Sequence, residues 1–264
     1  MQKKYVIVIT GANSGIGLAT ANYLISKGHT VYGVDLRANQ QHFPILTCDI
    51  TDAKRVEEVI KEIHDREGRI DVLVNNAGFG ISGAIEYSSV DEVRKIFDVN
   101  VVALINMCKV VTPYMRANKF GRVVNISSVA CEIPIPFQSC YSATKAAVLS
   151  FSMAFRQEVQ DFGIKVSAVL PGDTKTGFTA ARLKNGVVDD DAYGKRITKS
   201  IERMEKDEQG GMSPVSVAKV INKVISSRNP APMKTVGFSY KLIMLLSKML
   251  PKRFMLFIVK KMYG

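Results

Sequence analysis

Residues 5–17 read YVIVITGANSGIG, and this stretch decides the fold. YVIVI (5–9) is a short β-branched run of the kind that is buried on both faces of a parallel sheet. Thr10, Gly11, Ala12, Asn13, Ser14, Gly15, Ile16 and Gly17 follow, and then the helix-compatible LATANYLISKG (18–28). A strand, a glycine-rich turn and a helix opening together form a site for a pyrophosphate. Glycine lets the backbone approach the phosphates, and the helix N-terminus favours negative charge. The spacing is GxxxGxG rather than the tighter GxGxxG. The alternative is an ordinary glycine turn ahead of a helix. Thr10 reads as a strand-end hydroxyl that bonds backbone rather than a ligand.

Working outward, strands and helices alternate. Candidate strands are 5–9, 30–34, 44–48, 71–75, 121–126, 164–169 and 233–237; candidate helices are 14–27, 52–67, 89–97, 99–117, 139–162 and 214–227. This alternation predicts a single-domain α/β Rossmann fold, doubly wound, with a mostly parallel seven-stranded sheet and helices on both faces. The catalytic domain is expected over 1–237, with a substrate lid at 173–212, and a basic apolar helical tail over 238–264. The connection 36–43 is too short for a crossover helix. Val148, Phe151, Phe155, Val159 and Phe162 recur at helical spacing in 139–162, to face the core or a partner subunit.

The chemistry begins with Tyr141 and Lys145, four residues apart in CYSATKAAVLSF (140–151), and with Ser128, thirteen residues before the tyrosine in RVVNISSVA (122–130). Positions i and i+4 share a helix face. A free tyrosine has a pKa of about 10, and a nearby ammonium favours the phenolate, which suits the phenol to acid/base work. Ser128 could present a hydroxyl to the same substrate oxygen. A lone YxxxK is common in helices, so its weight comes from its company.

TGANSGIG (10–17), NNAG (75–78), Asn100, Ser128, Tyr141, Lys145 and the Pro171-Gly172 pair, taken in order, resemble the short-chain dehydrogenase/reductase family over roughly residues 5–236. The C-terminal tail also resembles that of family members acting on hydroxysteroids or retinoids, a weaker resemblance than that of the catalytic motifs. The resemblance implies that Tyr141 is the acid/base, that Lys145 lowers its pKa and binds the nicotinamide ribose, and that Ser128 orients the carbonyl or hydroxyl. Asn100 would hold a water in a proton relay; it also reads as a buried amide satisfied within its helix, and the two roles are compatible. Ser127 is adjacent to Ser128, but strand alternation turns it the other way. The resemblance also places Asn76, Ala77 and Gly78 beside the cofactor and leaves Asn75 structural. Pro171 and Gly172 follow VSAVL (166–170) as a turn, and Thr176 either caps the next segment or contacts the nicotinamide carboxamide. Cys131 stands where the family often has glycine.

Cofactor choice turns on Asp35, at the end of TVYGVDLR (30–37). A carboxylate there accepts from the adenosine ribose hydroxyls and repels a 2′-phosphate. Ser14 and Leu36 offer no positive charge, although the Arg37 fork could reach a phosphate. NAD(H) is therefore expected over NADP(H). Asp49 and Ile50, in LTCDIT (46–51), fall where the family contacts adenine; alternatively Asp49 or Thr51 caps the following helix.

The 264 residues are 47% hydrophobic, with no Trp and three His, which supplies a large aliphatic core. His29, His42 and His64 are dispersed and expected at the surface, and no metal site is expected. Four cysteines without CxxC spacing read as reduced thiols of an intracellular protein. Cys131 and Cys140 fall between Ser128 and Tyr141, and are read as packing groups rather than pocket groups. MQKKYVIVITG carries too short an apolar run for a signal peptide, so the expected location is the cytoplasm.

The lid, polar and glycine-punctuated, joins IPIPFQ (133–138) in setting specificity. Ile133, Ile135, Phe137, Phe178 and Leu183 favour an apolar substrate, or else anchor the loops. The last acidic residue is Glu208; ten Lys or Arg follow it, against 26 basic and 24 acidic residues up to that point. FSYKLIMLLSKML (238–250) and PKRFMLFIVKKMYG (251–264) are two apolar basic runs parted by Pro251. Neither run reaches the roughly 20 residues of a membrane span. They fit either peripheral contact with a membrane interface or packing over the substrate cleft or a subunit interface. Sparse aromatic interleaving argues against nucleic acid.

The resulting expectation is an NAD(H)-linked oxidoreductase acting on a small apolar secondary alcohol or ketone, lipid-like as a steroid or retinoid is, and working as a homodimer or homotetramer. A 3-oxoacyl-thioester reductase receiving an acidic carrier is the alternative within the family. A nucleotide-sensing protein that has lost catalysis is the alternative outside it, and both Tyr141 and Lys145 are intact.

Overall fold

The computed structural model describes residues 3–186 and 192–264. In chain order the strands are β1 (Val6–Thr10), β2 (Thr30–Asp35), β3 (Ile45–Thr47), β4 (Val72–Asn75), β5 (Ile81–Gly83), β6 (Gly121–Ile126), β7 (Ile164–Leu170), β8 (Leu183–Gly186) and β9 (Met233–Thr235). The helices are α1 (Gly15–Ile25), α2 (Ala53–Glu67), α3 (Val90–Phe97), α4 (Ala103–Ala117), α5 (Ser139–Val159), α6 (Phe178–Ala181), α7 (Arg196–Gln209), α8 (Pro214–Ser226), α9 (Phe238–Met249) and α10 (Lys252–Tyr263). Among the described residues, seven strands form one parallel sheet in the order β3-β2-β1-β4-β6-β7-β9. The order reverses between β1 and β4, so a crevice opens there beyond the carboxyl ends of the strands.

β1 shows why the sheet is doubly covered. Val6 and Val8 point into the core shared with α2, α4 and α5, while Ile7 and Ile9 point into the core shared with α1 and α8. Side chains alternate across a strand, so a run of five consecutive buried residues requires apolar partners on both faces. α2 supplies Val56, Val59, Ile60 and Ile63 at helical spacing. The run Val90–Ala117 has the length and apolarity of a membrane span. It is a core helix here, because Leu104, Met107, Val111 and Met115 are buried against the sheet.

Several expectations need correction. Helix α2 is capped by Asp52, whose carboxylate accepts from Arg55 N–H at 3.0 Å, and not by Asp49 or Thr51. Asp49 Oδ1 instead accepts from the backbone and hydroxyl of Thr51. His29 is buried, stacked on Tyr5 and accepting from Tyr5 N–H at 3.2 Å. Burial pushes its pKa down, which holds it neutral. The segments 89–97 and 99–117 are one continuous helical run, joined by a π-helical turn over Asp98–Val102. Within 173–212, the segment expected to be a lid, the described residues include α6, β8 and α7, and β8 pairs with β5. Residues 187–191 of the lid lie outside the described residues. On α5, Val148, Phe155 and Val159 enter the core and Phe151 packs partly against it, while Phe162, in the turn after the helix, is exposed.

Candidate active site

The loops leaving β1, β2, β4, β6 and β7 converge on one cavity of about 1350 Å³. Gly11 takes φ 67, a left-handed conformation that the turn after β1 needs. Gly17 is required for a different reason: a Cβ there would lie 2.0 Å from the Gly11 carbonyl oxygen. Ser14, the N-cap of α1, makes no side-chain cap bond, which leaves the first-turn N–H groups for an anion.

The sequence-predicted residues fall into two groups. Gly11, Ser14, Gly15, Ile16, Asp35, Asp49, Ile50, Asn76, Ala77, Gly78, Ser128, Tyr141, Lys145, Pro171, Gly172 and Thr176 all line the cavity. Asn13, Gly17 and Asn100 do not; they support its wall. The Asn13 side chain donates to the Arg37 carbonyl, and its backbone N–H donates to Asp35 Oδ2 at 3.0 Å. Asn100, 1% exposed in the π-helical turn, donates to the Phe79 carbonyl at 3.0 Å and to Thr144 Oγ1 at 3.1 Å. Its Oδ1 accepts from Phe79 N–H at 3.1 Å. Both amide hydrogens are therefore committed to protein, through partners outside its own helix.

Thr10 Oγ1 accepts from the N–H groups of Asn76 and Ala77, each at 3.0 Å, and so ties the β1 loop to the β4 loop. Asn76 reciprocates by donating to the Thr10 and Gly11 carbonyls. Asn75 is structural, donating to Asn125 Oδ1 at 2.9 Å. Thr176 both lines the cavity and accepts from Phe178 N–H at 3.2 Å at the start of α6.

At the reacting end, strand alternation separates the two serines. Ser127 is buried and donates to the Lys145 carbonyl at 2.7 Å. Ser128 is half-buried, accepts from Ala130 N–H at 3.1 Å, and its hydroxyl favours the ionised form of the nearby Tyr141 phenol. The Lys145 ammonium donates to the Ile126 carbonyl at 2.9 Å and lies 5.5 Å from the Tyr141 ring centroid. Burial raises the Tyr141 pKa, against the opposing pull of the Ser128 hydroxyl, and burial lowers Lys145 to about 8. Burial thus pushes both groups toward their neutral forms.

The substrate end carries residues that the sequence reading missed. Of the specificity residues named there, Ile135 and Phe178 line the cavity, the latter with its ring 5.6 Å from that of Tyr141. Ile133 and Phe137 pack into side clusters instead. Cys131 and Cys140 are outside the cavity lining, and burial pushes Cys131 up to about 11, so it remains a thiol. Met204, Glu208 and Tyr263 complete the wall. Glu208 pairs with the buried Arg182, and Tyr263 donates to Asp207 Oδ2 at 2.9 Å. No local spacing announces these contacts, since the partners are 26 and 56 residues apart in the chain.

Comparison with known proteins agrees with this geometry. The family model described as short chain dehydrogenase matches residues 5–186. The chain is 37% identical over 263 residues to a 3-ketodihydrosphingosine reductase of Bacteroides thetaiotaomicron, covering 98% of each chain. A short-chain dehydrogenase structure from Streptomyces avermitilis superposes with a TM-score of 0.81 at 29% identity, covering 94% of each chain. A short-chain dehydrogenase/reductase from Burkholderia phymatum, in complex with NAD, shares the fold with a TM-score of 0.79 at 23% identity, over 94% of this chain and 92% of that one. The chain belongs to the short-chain dehydrogenase/reductase family, and it is an oxidoreductase of that family.

Proposed function

We propose that the protein is an NAD(H)-linked reductase of a lipid-like ketone, with the reverse oxidation of the secondary alcohol at the same site. The observation that carries this reading is the meeting of Ser128, Tyr141 and Lys145 at one end of a cavity whose other end is built from a pyrophosphate-type loop. The residues fit a nicotinamide dinucleotide. The glycine loop and the α1 N-terminus suit the pyrophosphate, Asp35 the adenosine ribose, and Asp49 and Ile50 the adenine. Ala77, Gly78, Pro171, Gly172 and Thr176 line the path to the nicotinamide. When bound, such a cofactor supplies the hydride.

The chain's own residues handle the oxygen and the proton. Ser128 holds the substrate oxygen by a hydrogen bond. Tyr141, kept as a phenol by burial, gives its proton to the oxygen as negative charge develops there. Lys145 contributes an ammonium to the cofactor ribose and to the field at the phenol. Asn100 fixes the Phe79 loop and α5 around this group, and a water accepted by its remaining lone pair would extend a proton relay.

Asp35 supports NAD over NADP, because it lines the cavity whereas Arg37 is exposed outside the lining. A lipid-like substrate is supported by Ile135, Phe178, Ala181 and Met204 at the substrate end, and by the keto-lipid named for the Bacteroides relative. We propose a cytoplasmic enzyme, in keeping with four free cysteines. The apolar Ile105, exposed on α4, suits a homodimer or homotetramer. The test is turnover of NADH and NADPH against 3-ketodihydrosphingosine, steroids, retinoids, acyl thioesters and short ketones. A preference for NADH with a long-chain ketone is expected; exclusive use of NADPH, or of acyl thioesters, would overturn the corresponding half.

A further inference from the structure

Helices α9 and α10 each have two apolar sides. Along α9, Tyr240, Met244 and Ser247 face inward. The Tyr240 ring occupies the space where a Cβ on Gly172 would meet it at 2.3 Å, and its hydroxyl donates to Asp173 Oδ2 at 2.5 Å. Phe238, Leu242, Leu245 and Met249 recur every three or four residues on the opposite side, with Phe238 85% and Met249 72% exposed. α10 repeats the plan. Met255, Val259 and Tyr263 form its inner stripe, while Phe254 and Phe257 are turned out.

Six exposed basic residues flank this outer face: Lys241, Lys248, Lys252, Arg253, Lys260 and Lys261; residues 238–264 contain no acid. Lys252 lies 3.9 Å from Glu132; the others point outward from an apolar surface. A second copy seated on this face would bring two positive surfaces together without neutralising either. An anionic bilayer accepts the apolar stripe and neutralises the lysines. The inner edge of the same helix pair is the wall of the substrate cavity, through Tyr263.

We propose that the outer face of α9 and α10 seats the enzyme in the plane of an anionic membrane, and that lipid substrate enters the cavity from that side, past Tyr263. The docking stands on exposure and charge; the entry route rests on the lipid-ketone reading above.

The full chain is sedimented with phosphatidylcholine vesicles and with mixed phosphatidylcholine–phosphatidylglycerol vesicles. Wild type binds the mixed vesicles and is released by salt. The M249E/F257E variant loses at least about tenfold in binding, with circular dichroism and NADH affinity unchanged. Wild type left in the supernatant, or a variant that sediments equally, overturns the docking. So does a wild-type dimer in lipid-free buffer that the same variant dissociates. With a long-chain ketone held in anionic vesicles the variant loses turnover, and with a short water-soluble ketone it keeps it; equal rates on the vesicle-held ketone overturn the entry route. If wild type reduces neither ketone, the reductase reading and the entry route fail, while sedimentation still decides the docking.

Discussion

Lys145 reaches past Tyr141 to donate to the Ile126 carbonyl at 2.9 Å, leaving its ammonium 5.5 Å from the centre of the tyrosine ring. The pair is thus poised across a gap, with Lys145 buried and Tyr141 half-buried, and each is pushed toward its neutral form by burial. An acid/base residue that begins as a phenol is set for the reductive direction. The ammonium beside it keeps its charge only below about pH 8.

That value gives a pH prediction. Lys145 is protonated below about 8 and neutral above it, so NADH affinity, measured by fluorescence, falls as pH rises through that point. Lys145→Met binds NADH more weakly and shows no inflection there. A wild-type affinity flat from neutral to alkaline pH would mean that the ammonium does not hold the cofactor.

The neighbouring serines separate chemistry from packing. Ser128→Ala should lower kcat by about a hundredfold or more, as loss of a hydrogen bond to a developing oxyanion does, with little change in Tm. Ser127→Ala loses its bond to the Lys145 carbonyl. It should cost about 1 kcal/mol of stability with a much smaller effect on kcat. The opposite assignment would show as the reverse pattern in the same two assays.

Asp35 carries the cofactor preference. Asp35→Ser removes the carboxylate that would repel a 2′-phosphate, and the ratio of kcat/KM for NADH over NADPH should fall at least about tenfold. The backbone N–H groups of Asn13 and Leu36 lose their acceptor in the same variant, so a modest drop in Tm accompanies the change. An unaltered ratio would place specificity elsewhere, with Arg37 the first residue to examine.

Gly17→Ala tests the loop. The added methyl would sit 2.0 Å from a backbone carbonyl that cannot step aside. The expected cost is about 3 kcal/mol, a Tm lowered by roughly 5–10 °C, and loss of NADH binding. A variant with wild-type Tm and affinity would contradict the packing of α1 against the Gly11 turn.

What was legible in the sequence was local. The five-residue apolar run, the glycine loop and the start of α1 lie within thirteen consecutive residues, and the thirteen-residue gap to Tyr141 together with strand alternation favoured Ser128 over Ser127. The cap of α2 was misread because Asp49, Thr51 and Asp52 are all competent caps, and only the place where the chain turns into the helix selects Asp52. The π-helical turn that buries Asn100 has no composition of its own. His29 looked like a surface residue because its shelter, Tyr5, belongs to a different strand entry. The β5–β8 pairing and the Tyr263–Asp207 bond join segments far apart in the chain, and nothing in either segment names its partner.

The central claim is that Tyr141 delivers the proton to a ketone oxygen. The most direct measurement compares wild type and Tyr141→Phe in NADH-dependent reduction of 3-ketodihydrosphingosine or the best ketone of the panel, with NADH affinity measured on the same samples. Turnover should fall by about a thousandfold with NADH binding largely unchanged. A phenylalanine variant that retains turnover would contradict the account.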